Sequence, residues 1–583
     1  MSSLRRSVWF LLAVAVTIPP LLVARLIVTW GVDVPVGDEW RLSLMFAGNT
    51  WVPSWNELTR QANDSIVMFP KLLWVSMGRA WHWNLIREMW VTLGALVLSG
   101  AFIGYAWHRT IGRGALATTL PLALVSLILF TPAQHDNLLW GIQLVVYVPL
   151  LALTALLALV LSPLRLRTVL ALSAVIGTCA ILSYANGLLV WPLSLPLLLW
   201  FRRGSHRREW LAWLAWLGCA GGSIWLYFDA LSTVNADDPG LVHGQVPGIG
   251  QLHGAWLAAL KAYLSYIGSS LSYADSQFSI ADKFQRSILS GAALMVVGVL
   301  AAAALLLWRR RSDVFDALVL WGTFAAYGLA SGVLIVLGRF SYGPEYMLSS
   351  RYVSFSMPIA LAVVAIVTLA LSEAAAGRGA RARVAVAAGL VLAVGVGVLA
   401  VRGGQDAAVV IRDVYRLRLH AKSALQFFDL ASDEQLVALN WSGAGIVRRR
   451  APMLYRVGVL PDRRSRTVFH AQDEGRLHAS GCIEAIEDLG GGPARVSGWA
   501  FLIDRNRPAD AVLITSQADD RHTPIALATP SIVRSEIVRV LGTDDGLWTG
   551  WAVVSPPADG FRAWAFDAER NAAFPLSGPC DQR

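Results

Sequence analysis

Apolar runs of membrane-spanning length fill residues 8 to 402 and then stop. A helix needs roughly 20 apolar residues to cross the hydrocarbon core. Only closed backbone hydrogen bonding survives there, so the runs must be helices. Eleven can be drawn: 8–28, 88–107, 115–131, 140–162, 167–182, 188–201, 210–230, 286–308, 314–338, 353–372 and 383–402. The first has no small-residue cleavage site at its end and reads as a retained helix. Trp30, Trp140, Trp200 and Trp308 flank runs, where interfacial aromatics sit. Charged residues are 15% of the chain, against about 25% in soluble proteins.

The net charge of +10 does not imply nucleic acid, because the excess lies in short Arg clusters between runs. Arg5 and Arg6 open the series, followed by Arg109 and Arg113, then Arg165 and Arg167. It continues with Arg202, Arg203, Arg207 and Arg208, then Arg309 to Arg311, then Arg378, Arg381 and Arg383. These occupy alternate loops, while 132–139 and 183–187 contain no Lys or Arg. The positive-inside pattern places the N-terminus in the cytoplasm and residues 403–583 outside it. Two outward loops are long, 29–87 and 231–285, and Trp256 to Ile267 is a candidate amphipathic surface helix. The expected class is therefore an α-helical polytopic membrane protein with about eleven transmembrane helices and an extracytoplasmic C-terminal domain. The Ala/Arg/Gly-rich composition suits a bacterium with a GC-rich genome, hence a bacterial inner membrane.

The tail divides near residue 480. Residues 1–403 form the transmembrane domain, 404–480 a connector with helical patterning from Val414 to Leu430, and 481–583 a β domain. Ala494–Ile503, Ala511–Ser516, Leu547–Val554 and Phe561–Phe566 are rich in β-branched and aromatic residues and separated by Gly, Pro and Asp. A small β-sandwich follows. Trp499, Trp551 and Trp564 read as core filling rather than an exposed glycan platform. Cys482 and Cys580 bracket this domain, and an oxidising compartment makes a disulfide between them plausible. Cys179 and Cys219 lie in apolar runs and read as buried thiols.

The outward loops hold polar residues at membrane depth. The first contains Asp33, Asp38, Glu39, Trp40, Gln61, Asn63, Asp64, Phe69, Pro70 and Lys71. The next runs from Gln134 through His135, Asp136 and Asn137 to Gln143. Others carry Ser183, Tyr184 and Asn186 before Trp191, and Glu345, Tyr346, Arg351 and Tyr352. Each alone has an ordinary explanation. A carboxylate pair after a helix is a solvated loop, Asp136 can cap a helix, Asn186-Gly187 is a turn, and Arg351 can snorkel. Together on one side of one bundle they suggest a shared cavity.

The chain resembles the GT-C superfamily of membrane glycosyltransferases, in its loosely characterised bacterial members. The resembling stretches are Asp38-Glu39-Trp40, Asn63 to Leu73, Trp83 to Glu88, Gln134 to Gln143, Tyr184 to Pro192 and Ser350-Arg351-Tyr352. The resemblance implies an acidic general base in the first extracytoplasmic loop, a polyprenyl-phosphate sugar donor and usually inversion at the anomeric carbon. Asp38 matches the acidic position, with Glu39 beside it; the residues that follow depart from better-known members and leave the choice between them open.

A carboxylate can take the proton of an attacking sugar hydroxyl, and arginine stabilises a departing lipid phosphate. Arg351 is the first candidate for the phosphate, followed by Arg339, Lys71 and His135. Trp40, Asn63, Asp64, Asp136, Gln143, Tyr184, Asn186, Trp191, Glu345 and Tyr352 are candidates for substrate contact. The donor lipid would lie between helices, and the acceptor would be a cell-surface glycan, lipid or protein. Asp38, Asp64 and Asp136 could hold a divalent cation such as Mg or Mn; nothing in the spacing suggests zinc. A flippase or transporter of lipid-linked sugars is the rival from another class, although no inverted repeat is visible. A polysaccharide polymerase and a scaffold with a glycan-binding β domain are further alternatives.

Overall fold

The computed structural model describes residues 3–46, 52–60, 65–111, 115–203, 209–232, 254–271, 280–308, 312–375, 380–441, 443–458, 460, 478–490, 492–519 and 521–580. Each of the eleven apolar runs is a helix: α1 Ser3–Trp30, α2 Leu85–Thr110, α3 Ala115–Leu129, α4 Leu144–Val160, α5 Leu166–Ile181, α6 Val190–Phe201, α7 Trp210–Ser232, α8 Ile280–Trp308, α9 Ser312–Arg339, α10 Val353–Ala375 and α11 Ala380–Gln426. Eight of the described helices are long and apolar enough to cross a membrane. The other three, α3, α5 and α6, have 15, 16 and 12 residues.

The chain divides into two compact units. The first comprises Met1–Gly31, Ser54–Ser76 and Ile86–Ile411; the second comprises Val32–Pro53, Met77–Leu85 and Arg412–Arg583.

In the helical unit, α10 and α4 are central. In the most apolar part of Ser350–Ala375, which holds α10, 94% of residues are buried, and in that of Gly141–Val160, which holds α4, 83% are. By contrast, α8 is 22% buried although its mean hydropathy is equally high. An apolar surface of that kind is solvated by lipid rather than water. The helix Trp256–Gly268, in the long loop before α8, packs closely on α8. Two glycines permit that approach. A Cβ on Gly268 would lie 2.0 Å from the Ser287 carbonyl, and one on Gly291 would lie 1.9 Å from that of Leu264.

The second unit contains the sandwich. Its strands are β1 Ala479–Asp488, β2 Ala494–Leu502, β3 Arg507–Pro508, β4 Ala511–Ser516, β5 Pro524–Ala528, β6 Gly550–Ser555, β7 Phe561–Asp567, β8 Ala572–Pro575 and β9 Ser577–Pro579. One sheet runs β3-β2-β1-β9, with β6 also paired to β2; the other runs β5-β4-β7-β8. Val496 and Trp551 from the first sheet meet Val512, Ile514 and Phe574 from the second in one core. Trp551 is fully buried, and Trp564 is nearly so, with its indole donating to the Thr515 hydroxyl at 3.1 Å. Trp499 is partly covered. Cys482 and Cys580 form a disulfide, with Cα atoms 5.4 Å apart, beside the parallel pairing of β1 and β9.

The last helix does not end where its apolar run ends. It continues unbroken through the polar segment after residue 402 to Gln426. Gly403 and Gly404 cost it about 1 kcal/mol each but do not stop it. Two short helices follow in the connector. Asp433–Val437 is closed by a capping box between Ser432 and Gln435, and Ala444–Arg456 is amphipathic and basic.

Candidate functional site

In the helical unit, two irregular connectors meet. The first joins α3 to α4. Thr131 accepts the Ala133 N–H and opens a 3₁₀ turn at Pro132, followed by the short helix His135–Leu139 and an extended Trp140. The second joins α9 to α10. Gly343 adopts φ +102°, and Pro344 follows without an N–H, so helix cannot pass through. Three 3₁₀ turns result, Phe340–Tyr342, Pro344–Leu348 and Ser350–Tyr352.

Side chains lock these connectors together. The Ser350 hydroxyl donates to Asp136 at 2.6 Å. The Asn137 amide donates to the Arg351 carbonyl at 3.1 Å and reaches the Ser350 carbonyl at 3.4 Å. His135 is buried, with Nε2 3.6 Å from Asp136. The Arg351 guanidinium donates to the Tyr346 hydroxyl at 3.1 Å, and its carbon lies 6.0 Å from the centre of the Trp140 ring. Among the described residues no carboxylate lies within ion-pair distance of Arg351. Most of its five N–H groups therefore remain available to an anionic ligand.

Aromatic rings surround this arginine. Tyr346 packs edge-on to Tyr352 and is tilted against Tyr342, and the Arg339 guanidinium carbon lies 5.9 Å from the Tyr342 ring centre. Tyr184 stacks on Phe355, the third residue of α10, with centroids 5.4 Å apart. Tyr184 is fixed by its neighbours: the Ala185 N–H donates to Ser65 at 3.1 Å, and the Phe69 N–H to the Leu182 carbonyl at 3.0 Å. Glu345 is partly exposed on the same connector. Asn186 is buried, and its amide nitrogen has no hydrogen-bond partner among the described residues.

Other expected ligand contacts have different surroundings. The Lys71 ammonium donates to the carbonyls of Glu57, Leu58 and Arg60 at 2.7, 3.2 and 2.5 Å. These acceptors close the C-terminal end of the helix Trp55–Thr59, so Lys71 is used structurally. Burial pushes its pKa down to about 7. Trp191 is 2% exposed and packs edge-on to Trp216, offering no free face. Gln143 is buried at the start of α4. Asn63 and Asp64 lie outside the described residues.

The Asp38-Glu39 turn belongs to the second unit. Asp33 accepts the Leu85 N–H at 2.9 Å and the Asn84 amide at 3.2 Å, tying two loop segments together. Burial raises the Asp33 pKa. Gly37, at φ +56°, turns the chain, and its N–H donates to the Leu439 carbonyl at 2.7 Å. The Asn440 amide donates to the Gly37 carbonyl at 3.3 Å, and Arg450 to the Trp40 carbonyl at 2.5 Å. Trp40 is fully buried, with its indole donating to the Pro35 carbonyl, so it is a core residue of the turn rather than a sugar platform. Glu39 is also fully buried and accepts the Val36 N–H at 2.8 Å. Asp38 differs: its side chain keeps 27% exposure, 3.6 Å from Arg41.

Comparison with solved structures gives distant likenesses. The chain is similar to the archaeal oligosaccharyltransferase AglB from Archaeoglobus fulgidus, solved with an inhibitory peptide and a dolichol-phosphate. The TM-score is 0.37 at 12% identity, covering 68% of this chain and 56% of that one. It is also similar to apo ArnT from Cupriavidus metallidurans, with a TM-score of 0.27 at 16% identity, covering 65% of this chain and 81% of that one. This chain thus spans little more than half the length of AglB. No protein-family model and no curated protein sequence matches it.

Among the described residues no three His, Cys, Asp or Glu side chains converge as a metal site. Asn137, Ser350 and Tyr346 stood within the clustered polar stretches of the sequence but were given no ligand role there. The signal for Tyr346 was its place in an aromatic run with Tyr342 and Tyr352 around one arginine.

Proposed function

We propose that the chain is a membrane glycosyltransferase that takes its sugar from a polyprenyl-phosphate donor and passes it to an acceptor outside the cytoplasm. The observation that carries this reading is Arg351, held by Tyr346 and Trp140 without a carboxylate partner among the described residues. An arginine in that setting suits a phosphate whose charge grows as the glycosidic bond breaks. The donor lipid lies between helices, with its phosphate at Arg351 and its sugar near Tyr184 and Asn186.

Asp38 is the general base. Glu39 is fully buried against its own backbone, whereas the Asp38 side chain keeps 27% exposure beside Arg41, which favours Asp38 of the two. Its role is to take the proton of the attacking acceptor hydroxyl. The alternating Arg clusters support a cytoplasmic N-terminus, and the Cys482–Cys580 bridge suits an oxidising exterior.

The test is transfer from polyprenyl-phosphate hexoses and pentoses by purified protein in proteoliposomes. Asp38→Asn should abolish transfer while the protein remains folded, and a fully active variant would overturn the assignment. Movement of unmodified lipid-linked sugar across the bilayer without new glycosidic bonds would establish the flippase alternative instead.

A further inference from the structure

The second unit contains a cavity of about 270 Å³ that plays no part in the proposed transfer. One wall is a single face of α11, carrying Asp413, Arg416 and His420 at helical positions i, i+3 and i+7. Arg507 on β3 and Asp510 just beyond it form another wall, and Trp548 closes a third side. Trp548 is 47% exposed at the end of the 3₁₀ turn Asp544–Trp548, so part of its ring remains open to a ligand.

The charges around the cavity are balanced. Arg507 pairs with Asp510 and reaches Glu569 at 3.3 Å, and Arg416 pairs with Asp545. Each guanidinium therefore already faces a carboxylate, and a phosphate or sulfate would find neither free. Burial lifts the Asp510 carboxyl to about 6, and Arg507 and the Ala568 N–H hold its two oxygens. Asp413 is exposed, with its oxygens available as acceptors. A volume just below that of drug-sized pockets suits one or two sugar rings. An aromatic face beside carboxylate acceptors matches the two sides of a neutral sugar, its C–H face and its hydroxyl edge.

We propose that this cavity between the α11 face, β3 and Trp548 binds a neutral glycan, with the Trp548 ring stacking on a sugar and Asp413 accepting from its hydroxyls. Binding there is separate from transfer and does not depend on the catalytic assignment.

The experiment is saturation-transfer NMR on the full-length protein in detergent micelles, with the methyl glycosides of mannose, glucose, galactose and arabinose as probes. At least one should bind in the millimolar range. Trp548→Ala and Asp413→Asn should each weaken binding about tenfold, the scale of one aromatic or charge-assisted contact. Trp548→Phe should recover part of the loss. Binding is read directly and needs no transfer, so failure of the catalytic reading would be distinguishable from failure of this one. The proposal is overturned if no glycoside binds, if Trp548→Ala binds as well as the parent, or if inorganic phosphate displaces the glycoside.

Discussion

The Glu39 carboxylate receives the Val36 N–H at 2.8 Å, inside a turn from which the neighbouring Asp38 side chain emerges. Two adjacent acids thus hold opposite positions, one fixing the backbone and one facing outward. Glu39→Ala should lower stability by about 1–3 kcal/mol, because it leaves a buried N–H unmet. Glu39→Gln, which keeps an acceptor oxygen, should retain most of that stability. Asp38→Asn should leave the melting temperature within a degree or two while reducing transfer by about 100-fold or more. Thermal unfolding and transfer measured on all three variants check this division.

Arg351→Lys should raise the donor KM by about tenfold or more, since an ammonium cannot reproduce paired guanidinium donors. Tyr346→Phe removes only the hydroxyl that orients Arg351 at 3.1 Å, so a change of a few-fold is expected. Initial rates over a range of donor concentrations distinguish the two.

Lys71 should make local stability pH-dependent. Its pKa is about 7 in the folded protein against an ordinary 10.5, so between those values the unfolded segment binds more protons than the folded one. Stability around the helix Trp55–Thr59 therefore rises as pH passes from about 7 toward 10.5, and is lowest where the buried ammonium is fully charged. Hydrogen exchange of that helix across this pH range should show the rise, and Lys71→Met should flatten it.

The Cys482–Cys580 bridge closes a loop of sequence separation 98. Its removal by a double Ser substitution should destabilise the sandwich by about 2–5 kcal/mol. Reductant should lower the melting transition of the parent protein and leave that of the double variant unmoved.

The helices were legible because apolar runs near bilayer length must be helical; each of the eleven runs is a helix, although only eight of the described helices are long and apolar enough to cross. The sandwich was legible from segments rich in β-branched and aromatic residues set off by Gly, Pro and Asp; in β2, Val496 faces the core and Arg495 faces out. The end of α11 was not, because the change from apolar to polar at residue 402 marks a change of surroundings, not of backbone conformation. Within the candidate site, residue type pointed to Arg351 and Tyr184, whose polarity is costly at membrane depth. It could not separate them from Lys71 or Trp40, whose polar atoms are satisfied by backbone carbonyls. Carbonyls carry no sequence signature, so a lysine that closes a helix end reads the same as one that binds phosphate.

Asn440 donates to the carbonyl of Gly37, 403 residues earlier in the chain. The turn that carries Asp38 is made near the start of synthesis, yet its hydrogen-bonding frame arrives only when the connector emerges near the end. A chain stalled or cleaved before residue 439 would insert its helices but leave that turn without its tether. Long-range pairing of this kind forms late in folding. On the proposed assignment of Asp38, transfer would require the connector as well as the membrane helices.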